Sequence, residues 1–363
     1  MNTKRLFSSQ QRLVDLRSDT VTLPSRGMLE CAMQAPLGDD VMGEDPTVLE
    51  LESYMADLCG KEKGLFVPTG TMANLLAVLS HCHERGSEII IGSASHVALW
   101  EGGNVANLGG VHSWQIQEDK DARMSVDDVR DAIRTDDDDH WPKSTLLCLE
   151  NTHNMLGGVA LPPTYVQQMG TLANELNLKC HVDGARIFNA AVAQNVSVKE
   201  LCDSVDSVSI CFSKGLGAPV GSILLGEEEF IRLAKRARKR CGGGMRQAGV
   251  VASMGLYAVK HNVDRLNEDH ERAKKISHEL KLHGFYLPRD GQVDTNVIYF
   301  GLPENSKTTK EEMGKKLEED YGVRLTGGYS KGGRLFRIVT HMGVDDDDTD
   351  RAIEGIIKIG GVE

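Results

Sequence analysis

Lys214 offers the most chemistry in this chain. It sits in the run Ser209-Ile210-Cys211-Phe212-Ser213-Lys214-Gly215. The apolar stretch before it has the composition of a buried strand. A strand there would anchor the lysine stem and deliver the amine at one edge of a sheet, where sites form in α/β proteins. Lysine is rarely buried without a reason. A desolvated amine loses its proton more readily, which suits imine formation with an aldehyde. Taken alone, the run reads equally well as a surface lysine just past a strand end.

A second apolar run ends at His181-Val182-Asp183-Gly184-Ala185-Arg186. A carboxylate at Asp183 can hold a protonated pyridine nitrogen and so preserve a bound ring as an electron sink. A helix N-cap is the plain alternative. A half metal site with His181 is disfavoured, because we expect these two alternating residues on opposite faces of the strand. The third element is Pro68-Thr69-Gly70-Thr71-Met72-Ala73-Asn74, between an apolar run and a helix. Free amides at a helix start, with hydroxyls and a glycine nearby, can seat a phosphate. An ordinary N-cap explains the same residues. The GxxxxGK[ST] pattern of a nucleoside triphosphate loop is absent. Gly215-Leu216-Gly217-Ala218-Pro219-Val220-Gly221 mimics a dinucleotide glycine pattern, but its spacing is GxGxxxG and Pro219 sits where the helix should run.

These residues need a scaffold. Short apolar runs alternate with helical periods, the pattern of a largely parallel sheet covered by helices. Strands are expected at Glu88–Ile91, Thr145–Leu149, Lys179–Val182, Ser207–Phe212 and Gly221–Leu225. Asp45 should cap a helix that starts at Pro46, turns Val48, Leu49, Leu51 and Met55 inward, and stops at Gly60. Further helices are expected over about Met72 to His83 and Tyr165 to Leu176. After Arg246 a long helical stretch reaches about Leu282. Strands follow near Asn296–Phe300 and Leu335–Thr340, with a helix near Lys310–Glu319. This divides the chain into a large domain over residues 1–260, N-terminal arm included, and a smaller α+β domain over 261–363.

The chain has 363 residues, 40% hydrophobic and 26% charged, an ordinary globular composition with room for a substantial core. A formal net charge of -12 argues against a nucleic-acid footprint. The cluster Lys235, Arg236, Arg238, Lys239 and Arg240 is read as a solvated helix face. Eight scattered cysteines without CxxC spacing read as small buried hydrophobes in a reducing compartment. No stretch approaches the roughly 20 apolar residues of a membrane span. The start MNTKRLFSSQQR is basic and free of acids, compatible with a short mitochondrial presequence; cytosol is the expectation. The runs Asp136–Asp139 and Asp345–Asp348 read as loops or a helix start, and no metal site is assigned. Trp100, Trp114 and Trp141 are core or interface candidates. His81, His83, His112, His261, His278 and His283 are read as structural.

The order of phosphate seat, Asp183 strand end and Lys214 is that of fold-type-I pyridoxal phosphate enzymes. From Asp15 to about Val344 the sequence resembles the L-threonine aldolases of low specificity. The most specific pieces are Asp15-Leu16-Arg17-Ser18-Asp19-Thr20-Val21-Thr22, Gly38-Asp39-Asp40-Val41-Met42-Gly43-Glu44-Asp45-Pro46, Glu150-Asn151-Thr152-His153-Asn154, His181–Arg186 and Gly242-Gly243-Gly244-Met245-Arg246-Gln247. The resemblance implies a Schiff base at Lys214, Asp183 on the ring nitrogen, Arg186 near the phenolic oxygen and His96 stacked on the ring. Gly70 and Thr71 would hold the phosphate. Ser18 and Arg337 would bind the substrate carboxylate, a planar anion suited to a guanidinium fork. His153 would lie close to the β-hydroxyl, and it and His96 are the candidate bases beside a bound water. Arg246, and with it Lys239, would add positive charge from a neighbouring subunit. The resemblance further implies cleavage of threonine or allo-threonine to glycine and acetaldehyde by a homotetramer built from dimers. Other pyridoxal phosphate reactions, such as elimination or racemisation, and a cofactor-free scaffold are the rivals.

Overall fold

The computed structural model describes residues 12–134, 138–327 and 335–361. The basic start and the acidic pair Asp136 and Asp137 therefore lie outside the described residues, Arg12 excepted. Twelve strands are described. β1 is Val14–Asp15, β2 Lys63–Val67, β3 Ser87–Gly92, β4 His112–Ile116, β5 Lys143–Glu150 and β6 Lys179–Asp183. β7 is Ser207–Cys211, β8 Ser222–Gly226, β9 Val297–Phe300, β10 Val323–Arg324, β11 Thr326–Gly327 and β12 Phe336–Val339.

Seven of them form the central sheet in the order β2-β8-β7-β6-β5-β3-β4. Only β8 runs against its neighbours. The five expected strands are all present. β2 and β4 are additional, and β4 lies at an edge with an exposed, polar pattern that offers no apolar run to read. Both faces of the sheet are covered, so β7 and β8 are buried throughout their lengths. The glycine run 215–221 is a turn that leads into β8, where a dinucleotide fold would place a helix.

Three helices come early in the chain, and the last of them starts with two of the site residues. α1 is Arg26–Gln34, α2 Pro46–Cys59 and α3 Gly70–His81. Asp45 caps α2 by accepting from the amides of Thr47 and Val48, and Gly60 closes it in the left-handed conformation. The long helical stretch after Arg246 is two helices, Gly249–His261 and Leu266–Leu282.

A second apolar core joins Leu280, Phe300, Leu317, Ile338 and Ile356 in a smaller carboxy-terminal domain. Its antiparallel sheet has the order β11-β12-β9. Val14 and Leu16 belong to this second core, and β1 pairs with β10, although from sequence the arm is grouped with the large domain. Val14 and Leu16 are two apart on the extended arm and turn the same way, so both enter this core while the backbone pairs with β10. Asp345–Asp348 begins the last helix, Asp346–Gly360, through a reciprocal cap between Asp345 and Asp348.

The basic cluster is not uniformly solvated. Arg238 is 2% exposed, ion-paired to Asp40 at 2.8 Å and donating to the Phe66 carbonyl. Trp114 and Trp141 are not core residues; each lies against the Arg134 guanidinium near the surface. Six of the eight cysteines are buried and all are free.

Candidate active site

The carboxyl ends of β6 and β7 meet the amino terminus of α3. Asp183 is the last residue of β6, and Lys214 lies in the turn three residues beyond β7. Asp183 is buried and accepts from Asn74 Nδ2 at 2.8 Å and from the amide of Ala185 at 3.1 Å. Burial alone would raise its pKa. The charges of His96 and Lys214, with the Asn74 hydrogen bond, outweigh that and hold the carboxyl below its usual range. Asp183 is therefore an ionised carboxylate in a dry setting. Lys214 is half-buried, not fully desolvated as its strand context suggests.

Thr69 caps α3 by accepting from the amide of Met72, which leaves the amides of Gly70 and Thr71 without intrahelical acceptors. A Cβ on Gly70 would come within 2.6 Å of Cys211 Sγ, so the helix start can sit this close to β7 only with glycine there. Both the N-cap reading and the open-amide reading of this segment hold together.

His96 begins a one-turn helix beside β3. Its amide donates to Glu150 at 2.6 Å and its Nδ1 lies 3.0 Å from Glu101 Oε1. Burial works against its protonation, but Glu101, Asp183 and Glu150 raise its pKa. One ligand atom each of His96, Glu101 and Asp183 lies within 4.8 Å of the others. A cation there would neutralise Asp183, the group this geometry keeps ionised.

On the other side, Asp19 gathers the cations. It is fully buried and takes two hydrogen bonds from Arg186, at 2.7 and 2.6 Å. Arg186, Lys214 and Arg337 together hold its carboxyl far below the usual range despite burial. Arg337 donates to Asn154 Oδ1 at 2.9 Å and to the carbonyl of Arg17 at 2.8 Å, which places it against Ser18 and the His153 loop. Ser18 Oγ caps the short helix Asp19–Val21.

His153 is 2% exposed. Its Nε2 lies 3.1 Å from Glu118 Oε1, while its Nδ1 is buried with no hydrogen-bond partner among the described residues. Burial lowers its pKa, but Glu150 and Glu118 raise it further than that. Arg246 stands apart: its side chain is 58% exposed and paired with Asp39.

Thus Ser18, Gly70, Thr71, His96, His153, Asp183, Arg186, Lys214 and Arg337 are brought to one edge, and Arg246 is not. Asp19, Asn74 and Asn154 lie inside the sequence motifs without drawing attention as site residues. Glu101 and Glu118 carry no motif at all. One expectation is overturned. Residues two apart on a strand share a face, and His181 and Asp183 both contact Asn74.

A buried carboxylate, a lysine past a strand end and open helix amides at one sheet edge define the fold-type-I pyridoxal phosphate class. A family model described as beta-eliminating lyase matches residues 15–302. A probable low-specificity L-threonine aldolase 2 of Arabidopsis thaliana is 44% identical, over 96% of this chain and 97% of its own. The alanine racemase TOXG of Cochliobolus carbonum is 34% identical, over 95% and 86%. Among solved structures, a putative L-allo-threonine aldolase of Listeria monocytogenes EGD-E superposes with a TM-score of 0.77. It is 21% identical, covering 95% of this chain and 96% of that one, a likeness that bears on fold. The chain belongs to the beta-eliminating lyase family, together with the low-specificity L-threonine aldolases. Members of this family use pyridoxal phosphate.

Proposed function

We propose that this protein is a pyridoxal phosphate-dependent aldolase that cleaves L-threonine and L-allo-threonine to glycine and acetaldehyde. The observation that carries the reading is the ionised, buried Asp183 on the same edge as Lys214 and the open amides of α3. The residues present fit the cofactor: the start of α3 offers the open amides of Gly70 and Thr71 to an anion, and Asp183 supplies the charge that a ring nitrogen requires.

Lys214 would hold the cofactor as an imine, Asp183 its ring nitrogen, Gly70 and Thr71 its phosphate, and His96 its ring face. Asp19 takes Nε and Nη2 of Arg186, so Nη1 is the donor left for the ring oxygen. The chemistry supplied by bound pyridoxal phosphate is an electron sink for a bond broken at the substrate Cα. Arg337 and Ser18 fix the substrate carboxylate and so decide which bond is aligned to break. His153 Nδ1 takes the β-hydroxyl proton, because Glu118 holds Nε2 and leaves the Nδ1 lone pair as the basic site. His96, whose Nδ1 is held in the same way by Glu101, is the second candidate base, and its ring face is already assigned to the cofactor.

A racemase or another lyase is the second reading, favoured by the identity to an alanine racemase. Incubation with L-threonine, L-allo-threonine, serine and alanine separates the two. Acetaldehyde and glycine are expected from the first two, whereas D-alanine without acetaldehyde would replace the aldolase reading. In Lys214→Ala, no borohydride-fixed cofactor is expected; its persistence would remove Lys214 from the imine role.

A homo-oligomer is part of the proposal. Met33 is 85% exposed and Leu29, one turn before it on α1, is exposed too, an apolar helix face that fits a second copy of the chain. Arg246 would then act on the partner's site. Among the described residues no helix is long and apolar enough to cross a membrane. The eight free cysteines support a cytosolic setting.

A further inference from the structure

Behind Asp183 runs a buried hydrogen-bonded chain that no step of the proposed reaction uses. His81, at the end of α3, has Nε2 at 2.8 Å from Ser207 Oγ. Ser207 Oγ lies 2.9 Å from His181 Nδ1, and His181 Nε2 lies 3.2 Å from Asn74 Oδ1. Ser209 Oγ donates to the same Asn74 oxygen at 2.7 Å. Asn74 Nδ2 then donates to Asp183 at 2.8 Å and to Glu101 at 2.8 Å. Asn74, His181, Ser207 and Ser209 are each no more than 2% exposed.

Sequence and register build this chain. Asn74 and His81 are seven apart on α3 and share its sheet-facing side. His181 pairs across the sheet with Ser207, and Asp183 with Ser209. Period-2 alternation puts all four strand residues on the face that α3 covers.

The donors and acceptors have one consistent assignment. Two carboxylates face one end of the Asn74 amide, so its Nδ2 must point at them and its oxygen at His181 and Ser209. An amide oxygen only accepts, so His181 carries its proton on Nε2. Burial keeps the ring neutral, with a pKa pushed down to about 4. Nδ1 is then an acceptor, Ser207 donates to it, and His81 Nε2–H completes the line by donating to Ser207.

We propose that His181 is a positioning residue for the cofactor site: through Asn74 it fixes the amide that holds Asp183 in place as a carboxylate. This rests on the reading of Asp183 as the partner of the ring nitrogen. Without the His181 proton, the Asn74 oxygen loses one of its two donors, and the amide is free to turn away from Asp183.

The test is cofactor affinity. The full chain is stripped of cofactor, titrated with pyridoxal phosphate and followed by visible absorption. His181→Ala should bind about tenfold more weakly, the loss of one charge-linked hydrogen bond. His181→Gln, whose side-chain amide can reach the Nε2 position, should bind within about twofold of wild type. In an Asp183→Asn background the His181→Ala change should cost nothing further, because there is no carboxylate left to position. Wild-type affinity in His181→Ala, or an equal loss in both backgrounds, would overturn the proposal; the latter is the mark of a merely structural residue. If Asp183→Asn alone binds like wild type, the failure lies in the reading of Asp183 instead. Ser207→Ala, a smaller cut in the same chain, carries the same two-background test if His181→Ala does not fold.

Discussion

At the residue scale, Asp19 and His153 carry the clearest consequences. Asp19 is the buried counter-ion of Arg186, and its carboxylate also faces Lys214 and Arg337. Asp19→Ala leaves a guanidinium buried without its partner, a change that costs about 3–5 kcal/mol. Denaturant unfolding of the variant should show that loss, and an unchanged midpoint would show that water replaces the carboxylate. His153→Asn removes the proposed base and should lower kcat by about 10²–10⁴-fold. Glu118→Gln is different in kind. The neutral form of His153 is the active one, so activity rises with pH through its pKa, which Glu150 and Glu118 hold up against burial. Removing the Glu118 charge lets that pKa fall, and the acid limb of kcat against pH should move to lower pH. A limb that stays in place would detach His153 from the profile. Lys214, Asp183 and His153 are legible in sequence because they lie in short runs of fixed order. Glu101 and Glu118 are not, because nothing local distinguishes a carboxylate that meets a histidine only after folding.

At the scale of elements, close approach and capping do most of the positioning. Asp45 ends the segment before α2, caps it, and also accepts from the amides of Gly249 at 2.9 Å and Gly38 at 3.3 Å. Asp45→Ala should therefore cost more than the ~1 kcal/mol of a cap, since buried amides elsewhere are left unpaired. Thermal unfolding beside a simple cap variant, Ser125→Ala at the helix Val126–Ala132, measures the difference. In the helix Pro163–Glu175, a Cβ on Gly170 would come within 2.0 Å of the Ser204 carbonyl oxygen. Gly170→Ala should destabilise by about 1–3 kcal/mol through forced separation of that helix from the turn at Ser204. The α2 cap could be read from Asp45-Pro46 alone, since the bonds are two and three residues long. The approach of Gly170 to Ser204 could not, because it joins segments more than thirty residues apart.

For the whole molecule, the exposed apolar side chains of α1 and its flanks are the feature a lone subunit does not explain. Leu29 and Met33 are one turn apart and both exposed, so one helical face is presented outward. Leu29→Asp with Met33→Asp should lower the mass seen by sedimentation and weaken any contribution of Arg246 to the site. A wild-type chain that sediments as a monomer would end the oligomer reading. Burial of β1 against β10 also ties the arm to the smaller domain. Asp19, four residues beyond β1, reaches the large-domain Arg186 and Asn296 beside β9, so one short segment links both cores to the site.

Local order along the chain was enough to place Lys214 after a strand, Asp183 at a strand end and an open helix start before both, because these depend on periodicity and capping over a few residues. It did not reveal that His181 and Asp183 share a face with Asn74 between them, that Arg238 is buried on Asp40, or that Glu118 leaves His153 with one basic nitrogen. Those facts depend on which distant segments come into contact. Only packing decides that, and for His181 the same burial keeps the ring neutral as well as in place.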